Sequence, residues 1–294
     1  MPPALSGLAG ALLAWGEEAR RDLPWRRTRD PWAVLVSEVM LQQTQVARVV
    51  PRYAPFLERF PTPAACAAAP VGEVVRAWAG LGYNRRAVAL QRAAAACVER
   101  FGGALPATLV ELRSLPGVGP YTARAVLAFA AVGADVGVVD TNAARVLARA
   151  AAGRRLGAVQ AQRLADALVP TGAGWAWNQA VLDLGAMVCT RRKPRCEACP
   201  LSRAGACAWA AAGWSPPDPA DGSAGVGAAQ SSFAGSDRQG RGRLVDALCT
   251  APVALADVAS TCGWPGDPQR GERVAVGLVS DGLAVVEEGW LRLP

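Results

Sequence analysis

Two carboxylates and four thiols are the residues of this 294-residue chain whose settings can support chemistry. Glu38 lies within PWAVLVSEVMLQQT, residues 31–44, with Val34, Leu35 and Leu41 at helical neighbour positions. A carboxylate in such company is costly to ionise, and burial would raise its pKa towards that of a general acid near neutral pH. The competing reading places Glu38 at a helix rim, reaching solvent or an arginine. Asp140 closes the short apolar run 136–139 and precedes Thr141-Asn142 and a helical pattern, the position of an N-cap, which can also face a cleft. Cys189, Cys196, Cys199 and Cys207 follow with six, two and seven residues between them. Thiols so grouped in a reducing compartment favour a metal over disulfides. Zinc and an iron-sulfur cluster both stay open at this point. Arg191, Arg192, Lys193 and Arg195 give the same loop a basic, phosphate-binding character.

Two absences narrow the chemistry. The chain has no histidine, which excludes any imidazole base or ligand, and Lys193 is its sole lysine. The other 30 basic residues are arginines, which fork onto phosphates, although an alanine- and arginine-rich chain also reflects a GC-biased genome. Residues 1–213 hold 25 basic and 14 acidic residues, and residues 214–294 hold six and ten, so a polyanion should meet the first part. No apolar run approaches the roughly 20 residues of a membrane span. The first 23 residues read as a surface helix rather than a signal peptide, so a cytoplasmic, nucleoid-associated protein is expected.

Helical patterns at 4–22, 31–44, 45–60, 71–80 and 85–101 are punctuated by Leu23-Pro24, by Pro61 to Pro63 and by the turn Gly80-Leu81-Gly82-Tyr83. Trp25, Arg26 and Arg27 form an irregular segment with an aromatic ring beside two guanidinium groups. Leu81 and Tyr83 offer the glycine turn a tip that either wedges between bases or packs on a neighbouring helix. LPGVGPYT, residues 115–122, is a hairpin between two helices. Gly117 and Gly119 can take positive φ and bare their N–H groups at a helix N-terminus, which suits a DNA phosphate or is simply a tight turn. Helices follow at 158–169 and 175–188. Residues 213–240, rich in Pro, Gly, Ser and Ala, read as a flexible linker. Residues 241–294 read as three short helices and a β-hairpin turning at Glu288-Gly289, a winged-helix-like module with five basic and seven acidic residues that should not grip DNA by itself.

The motifs DLPWR, SEVMLQQTQV, GLGY, LPGVGPYTA, VDTN, NQAVLDLGAMVCTRRKPRC and CEACPL resemble the helix-hairpin-helix DNA glycosylases of the endonuclease III superfamily, most closely mismatch adenine DNA glycosylases of the MutY type, over residues 23–209. The resemblance implies a mainly α fold. A six-helix barrel module, 24–134, would face a 4Fe-4S cluster module, 135–212, joined by the N-terminal helix 1–23, with the active cleft between the modules. It implies that adenosine is flipped from duplex DNA, that Glu38 protonates adenine, that Asp140 stabilises the sugar cation, and that Tyr121 and Asn142 assist. By the same resemblance Trp25 and Arg26 line the adenine pocket, Gln43, Thr44, Leu81 and Tyr83 approach the opposite base, and the four cysteines hold the cluster.

Bifunctional relatives carry a lysine where this chain has Tyr121, so the resemblance implies a monofunctional enzyme. Two departures matter. The final cysteine interval is seven residues where the family commonly has five, which makes Cys207 the least secure ligand. The long C-terminal domain that helps the family recognise 8-oxoguanine is replaced by the short module, so that recognition should rest mainly on the first part. The competing readings are a thymine or uracil mismatch glycosylase and, from another class, a non-catalytic redox-sensing DNA-binding regulator. The chain is expected to act as a monomer.

Overall fold

The computed structural model describes residues 3–130, 133–224 and 232–294, and almost all regular structure in them is helical. The chain divides into two compact units, Met1–Pro31 with Pro120–Ala228 and Trp32–Gly119 with Ala229–Pro294. Among the described residues no helix is long and apolar enough to cross a membrane.

In the first unit, helix Pro3–Ala19 packs along helix Gly174–Met187. The approach is close because Gly16 faces Ala180: a Cβ on Gly16 would stand 2.7 Å from the alanine Cβ. Helix Thr141–Val146 crosses the same long helix at Gly185, where a Cβ would lie 2.6 Å from the Asn142 carbonyl oxygen. Residues 136–138 are extended without a sheet partner. Their backbone is satisfied instead by the buried amide of Asn178, which accepts from the Val138 N–H at 2.8 Å and donates to the Val136 carbonyl at 2.9 Å. That amide fixes the run leading to Asp140.

The second unit is built around helix Pro31–Leu41, every residue of which from Trp32 to Met40 is buried. A helix buried on all sides belongs inside a bundle, and Tyr53 of helix Val46–Arg59 and Arg86 of helix Arg85–Phe101 donate to its carbonyls. The Trp32 indole donates to the Phe60 carbonyl at 2.9 Å and the Tyr53 hydroxyl to the Ala33 carbonyl at 3.2 Å.

Residues 237–294 fold onto this same unit. Helices Asp237–Thr250, Val258–Cys262 and Pro268–Ser280 precede a three-stranded antiparallel sheet, β1 Val253–Ala254, β2 Val285–Glu287 and β3 Trp290–Arg292, in the order β1-β3-β2. The β2-β3 turn falls at Glu288-Gly289, both at positive φ, as a two-residue hairpin requires. The Gly72 N–H donates to the Pro294 carbonyl at 2.9 Å, Arg76 donates to the Cys249 carbonyl at 3.2 Å, and Asp281 pairs with both Arg85 and Arg241.

The stretch expected to be a flexible linker is ordered at both described ends. Ala220 and Ser223 are buried, the Ser223 hydroxyl accepts from the Leu156 N–H at 3.1 Å, and Ser236 caps the helix that starts at Asp237. Small residues carry little sequence signal, yet Ala220 and Ser223 seat their part of the stretch within the first unit. Residues 225–231 of that stretch lie outside the described residues.

Candidate active site and cluster site

Glu38 sits in the middle of helix Pro31–Leu41 and is 6% exposed, so it is not a rim residue. Asp140 does cap helix Thr141–Val146: one carboxylate oxygen accepts from the Asn142 and Ala143 N–H groups at 2.8 and 2.7 Å, and the other from the Asn142 amide at 2.7 Å. The Asn142 side-chain oxygen Oδ1 in turn accepts from Arg145 at 2.7 Å, and Arg145 reaches the Thr141, Gly185 and Cys189 backbone carbonyls. Burial raises the Asp140 pKa above the ordinary carboxylate value, against the pull of the Ala143 and Asn142 hydrogen bonds and the Arg145 charge. Arg145 is a site residue that sequence reasoning missed, because nothing separates one buried arginine from many solvated ones in so arginine-rich a chain.

Trp25 is buried in the short 3-10 turn Pro24–Arg26. Arg26 is committed to Asp183, binding both carboxylate oxygens at 2.6 and 2.8 Å, while Arg21 adds a third ion-paired contact at 2.6 Å. Burial alone would raise the Asp183 pKa, but Arg26 and Arg21 overcome it and hold the carboxyl below its usual range. The structure therefore gives Arg26 an architectural partner in addition to any contact with a base.

Of the hairpin glycines, only Gly117 uses the left-handed region, at φ +75°, and a Cβ there would meet the Ala89 Cβ at 2.8 Å. Gly119 does neither, contrary to expectation. Tyr121 follows in the first turn of helix Pro120–Phe129, half-buried.

Gln43 is exposed and Thr44 half-buried, just past helix Pro31–Leu41. In the glycine turn, Tyr83 is 43% exposed but Leu81 is 1% exposed. Leu81 is thus a core residue, and the expected apolar tip is corrected to a single aromatic one. The two glycines turn the leucine side chain inward. Arg48 donates to the Gly80 carbonyl and Arg52 lies against Gly80, which makes the turn's surroundings cationic.

Cys189, Cys196, Cys199 and Cys207 all line one cavity with Pro194, Leu201, Trp209 and Trp214. Among the described residues no three Cys, His, Asp or Glu side chains close on a point as a single ion requires. Cys207, expected to be the least secure ligand, lines that cavity with the other three thiols. Burial raises the thiol pKa values of Cys189, Cys199 and Cys207, as it does for the core thiols Cys66 and Cys97, pushed up to about 12 and about 11. What sets the four apart is their shared cavity and the adjacent donors.

Chief among those donors is Arg149, 1% exposed, in the π-helical stretch Leu147–Ala152. It donates to the Cys189 sulfur at 3.4 Å, to the Thr190 and Arg191 carbonyls at 2.8 and 3.0 Å, and to both Asp218 oxygens at 2.8 and 2.6 Å. Asp218→Ala is expected to destabilise the protein by about 2 kcal/mol or more, less than a fully buried pair because Asp218 keeps a solvent face. In a thermal melt the visible absorbance should bleach at a lower temperature than in the parent. An unchanged bleaching temperature would show that the pair does not hold the cysteine loop.

Residues 36–170 match the family model described as HhH-GPD superfamily base excision DNA repair protein, and residues 189–203 match the iron-sulfur binding domain of endonuclease III. An adenine DNA glycosylase of Mycolicibacterium smegmatis is 44% identical over 284 residues, 92% of this chain and 90% of that protein. Among solved structures, a thermostable thymine-DNA glycosylase superimposes with a TM-score of 0.64 at 30% identity, covering 69% of this chain and 95% of the other. A trapped endonuclease III–DNA covalent intermediate gives 0.59 at 25% identity, covering 68% and 92%. The second match ends at Arg203, before Cys207, and the structure supplies that fourth thiol. With a relative this similar over nine-tenths of both sequences, the chain belongs to the adenine DNA glycosylases of the helix-hairpin-helix base-excision superfamily, and it carries their iron-sulfur module.

Proposed function

We propose that the protein is a monofunctional DNA glycosylase that removes adenine mispaired with 8-oxoguanine or guanine, acting as a monomer on duplex DNA in the nucleoid. The observation that carries this reading is the pair of carboxylates in unlike settings, Glu38 buried within helix Pro31–Leu41 and Asp140 half-buried and clamped by hydrogen-bond donors. Unlike environments let one carboxyl keep a proton while the other stays charged. With adenosine flipped out, Glu38 delivers its proton to N7 as the C1′–N9 bond breaks and its electron pair leaves with the base. The Asp140 carboxylate faces the cationic sugar, and water then adds to C1′ and releases a proton. Asn142 keeps Asp140 aimed, Tyr121 and the Gly117 hairpin hold the strand, and Trp25 and Arg26 border the base. Cys189, Cys196, Cys199 and Cys207 would hold the cluster, which supplies a rigid basic loop for the phosphates.

A panel of duplexes tests this. Adenine should be released opposite 8-oxoguanine and opposite guanine, leaving an abasic strand that breaks only on alkali treatment. Strand nicking that tracks base release and survives Lys193→Ala would overturn the monofunctional reading, since no other lysine can form a Schiff base. The runner-up, a thymine or uracil mismatch glycosylase, draws on the likeness to the thymine-DNA glycosylase structure. Release of thymine or uracil opposite guanine, with adenine untouched, would favour it.

A further inference from the structure

Gln43 and Tyr83 are two of only four non-glycine residues at positive φ among the described residues, at +54° and +49°. Such a conformation costs energy and persists only where the surroundings enforce it. One side chain touches both places. Arg86, early in helix Arg85–Phe101, sends Nη1 to the Val39 and Met40 carbonyls at 2.9 Å each and to the Gln42 carbonyl. Its Nη2 reaches the Thr44 hydroxyl at 2.9 Å and the Leu81 and Gly82 carbonyls at 3.3 and 2.9 Å, and Nε reaches the Tyr83 carbonyl at 3.4 Å. The guanidinium carbon lies 5.4 Å from the ring centroids of both Trp78 and Tyr83.

Each group has a reason to need this partner. Val39 and Met40 belong to the last turn of helix Pro31–Leu41, whose carbonyls have no partner within the helix. In the glycine turn the Trp78 indole donates to the Gly82 carbonyl at 3.3 Å and the Thr44 hydroxyl to the Leu81 carbonyl at 3.4 Å, and Arg86 adds a second donor to each. A planar fork of five N–H donors can reach this many acceptors from two segments at once, where a lysine ammonium has three donors on a single point.

We propose that Arg86 is a positioning residue for mismatch discrimination: it holds Gln43 and Tyr83 as one preformed reading unit and ties that unit to the end of the helix carrying Glu38. The proposal rests on the reading of the chain as a mismatch glycosylase. The free protein thus pays the strain of both residues before DNA arrives, and a duplex that accepts the preformed shape is favoured over one that does not.

The test compares Arg86→Lys and Arg86→Met with the parent, using duplexes carrying adenine opposite 8-oxoguanine and fully paired duplexes of the same sequence. In both variants the ratio of the two affinities should fall by about tenfold or more, the scale of releasing strained residues. The single-turnover rate at saturating DNA should fall less, and lysine should not rescue, although it would rescue a role that needed only charge. A variant that keeps the parent's affinity ratio overturns the proposal. Should the variants not fold, hydrogen exchange in the unaltered protein decides. The Thr44 and Leu81 amides, each bonded at 3.2 Å within its own segment, should open together with one protection factor. Protection factors differing by more than about tenfold would overturn the clamp. Absence of adenine release by the parent would instead defeat the functional reading and leave the exchange result standing.

Discussion

Replacing Glu38 with glutamine is expected to lower the single-turnover rate of adenine release by about 10²–10⁴-fold, the contribution of a positioned general acid. Glutamine has the same shape and fills the same buried place in helix Pro31–Leu41, so packing should hold. What it lacks is a proton that can be given to adenine as the glycosidic bond breaks. Affinity for a duplex with adenine opposite 8-oxoguanine should therefore stay at the parent's level while base release collapses. A Glu38→Gln protein that still released adenine at the parent's rate would remove Glu38 from the chemistry and leave it as a buried polar group of structural use. Equal loss of binding and release would point to the same conclusion by another route, because it would mean that the substitution disturbs the fold rather than the proton.

Asp140→Asn should cost about 10²–10³-fold in the same assay, the scale of removing one preorganised electrostatic contact. The substitution separates the two roles that Asp140 combines. An asparagine oxygen still accepts from the Asn142 and Ala143 N–H groups, so the helix keeps its cap, and asparagine is as good a cap as aspartate. The bond from the Asn142 amide is lost, at about 1 kcal/mol. Against that stands relief of a buried charge. The folded-state pKa of Asp140 is raised by burial, so the fold binds its proton more strongly than the unfolded chain does. Stability from this group is present at low pH and is lost as pH rises through the raised pKa, and a neutral asparagine avoids that loss. The melting temperature at neutral pH should thus change little while activity falls. In the parent enzyme the same raised pKa sets the acid limb: activity should decline, as pH falls, at a higher pH than an ordinary aspartate would give. An acid limb lying below the usual aspartate range would contradict the requirement for ionised Asp140.

Much of the site could be read from residue types. The four cysteines pointed to a metal before any geometry, and the match of residues 189–203 to the iron-sulfur binding domain of endonuclease III made it a cluster. Asp140 was legible as a cap because capping is a local contract between a side chain and the next two or three N–H groups. The turn at Glu288-Gly289 was legible for the same reason. Glu38 was legible only as an alternative, since helical periodicity reports an apolar neighbourhood without reporting what covers it. Leu81 stayed open between wedging and packing, the resemblance set it at the opposite base, and the fold turned it into the core. Residues 216–224 looked like linker because small residues bury little area, yet Asp218 from that stretch completes the shell of Arg149.

By itself, then, the sequence determined which chemistry is available. Without histidine and with Lys193 as the sole lysine, proton transfer near neutral pH falls chiefly to carboxylates, and the helical patterns with their caps and turns follow from local propensity. The tertiary structure decided which of 30 arginines are internal. Arg26, Arg86, Arg145 and Arg149 carry the same side chain as the solvated ones, and they differ only in the carbonyls, carboxylates and sulfur that the fold brings to them. A guanidinium leaves water only when several acceptors arrive together. Those acceptors come from segments distant in sequence, so no window of residues along the chain could have shown them.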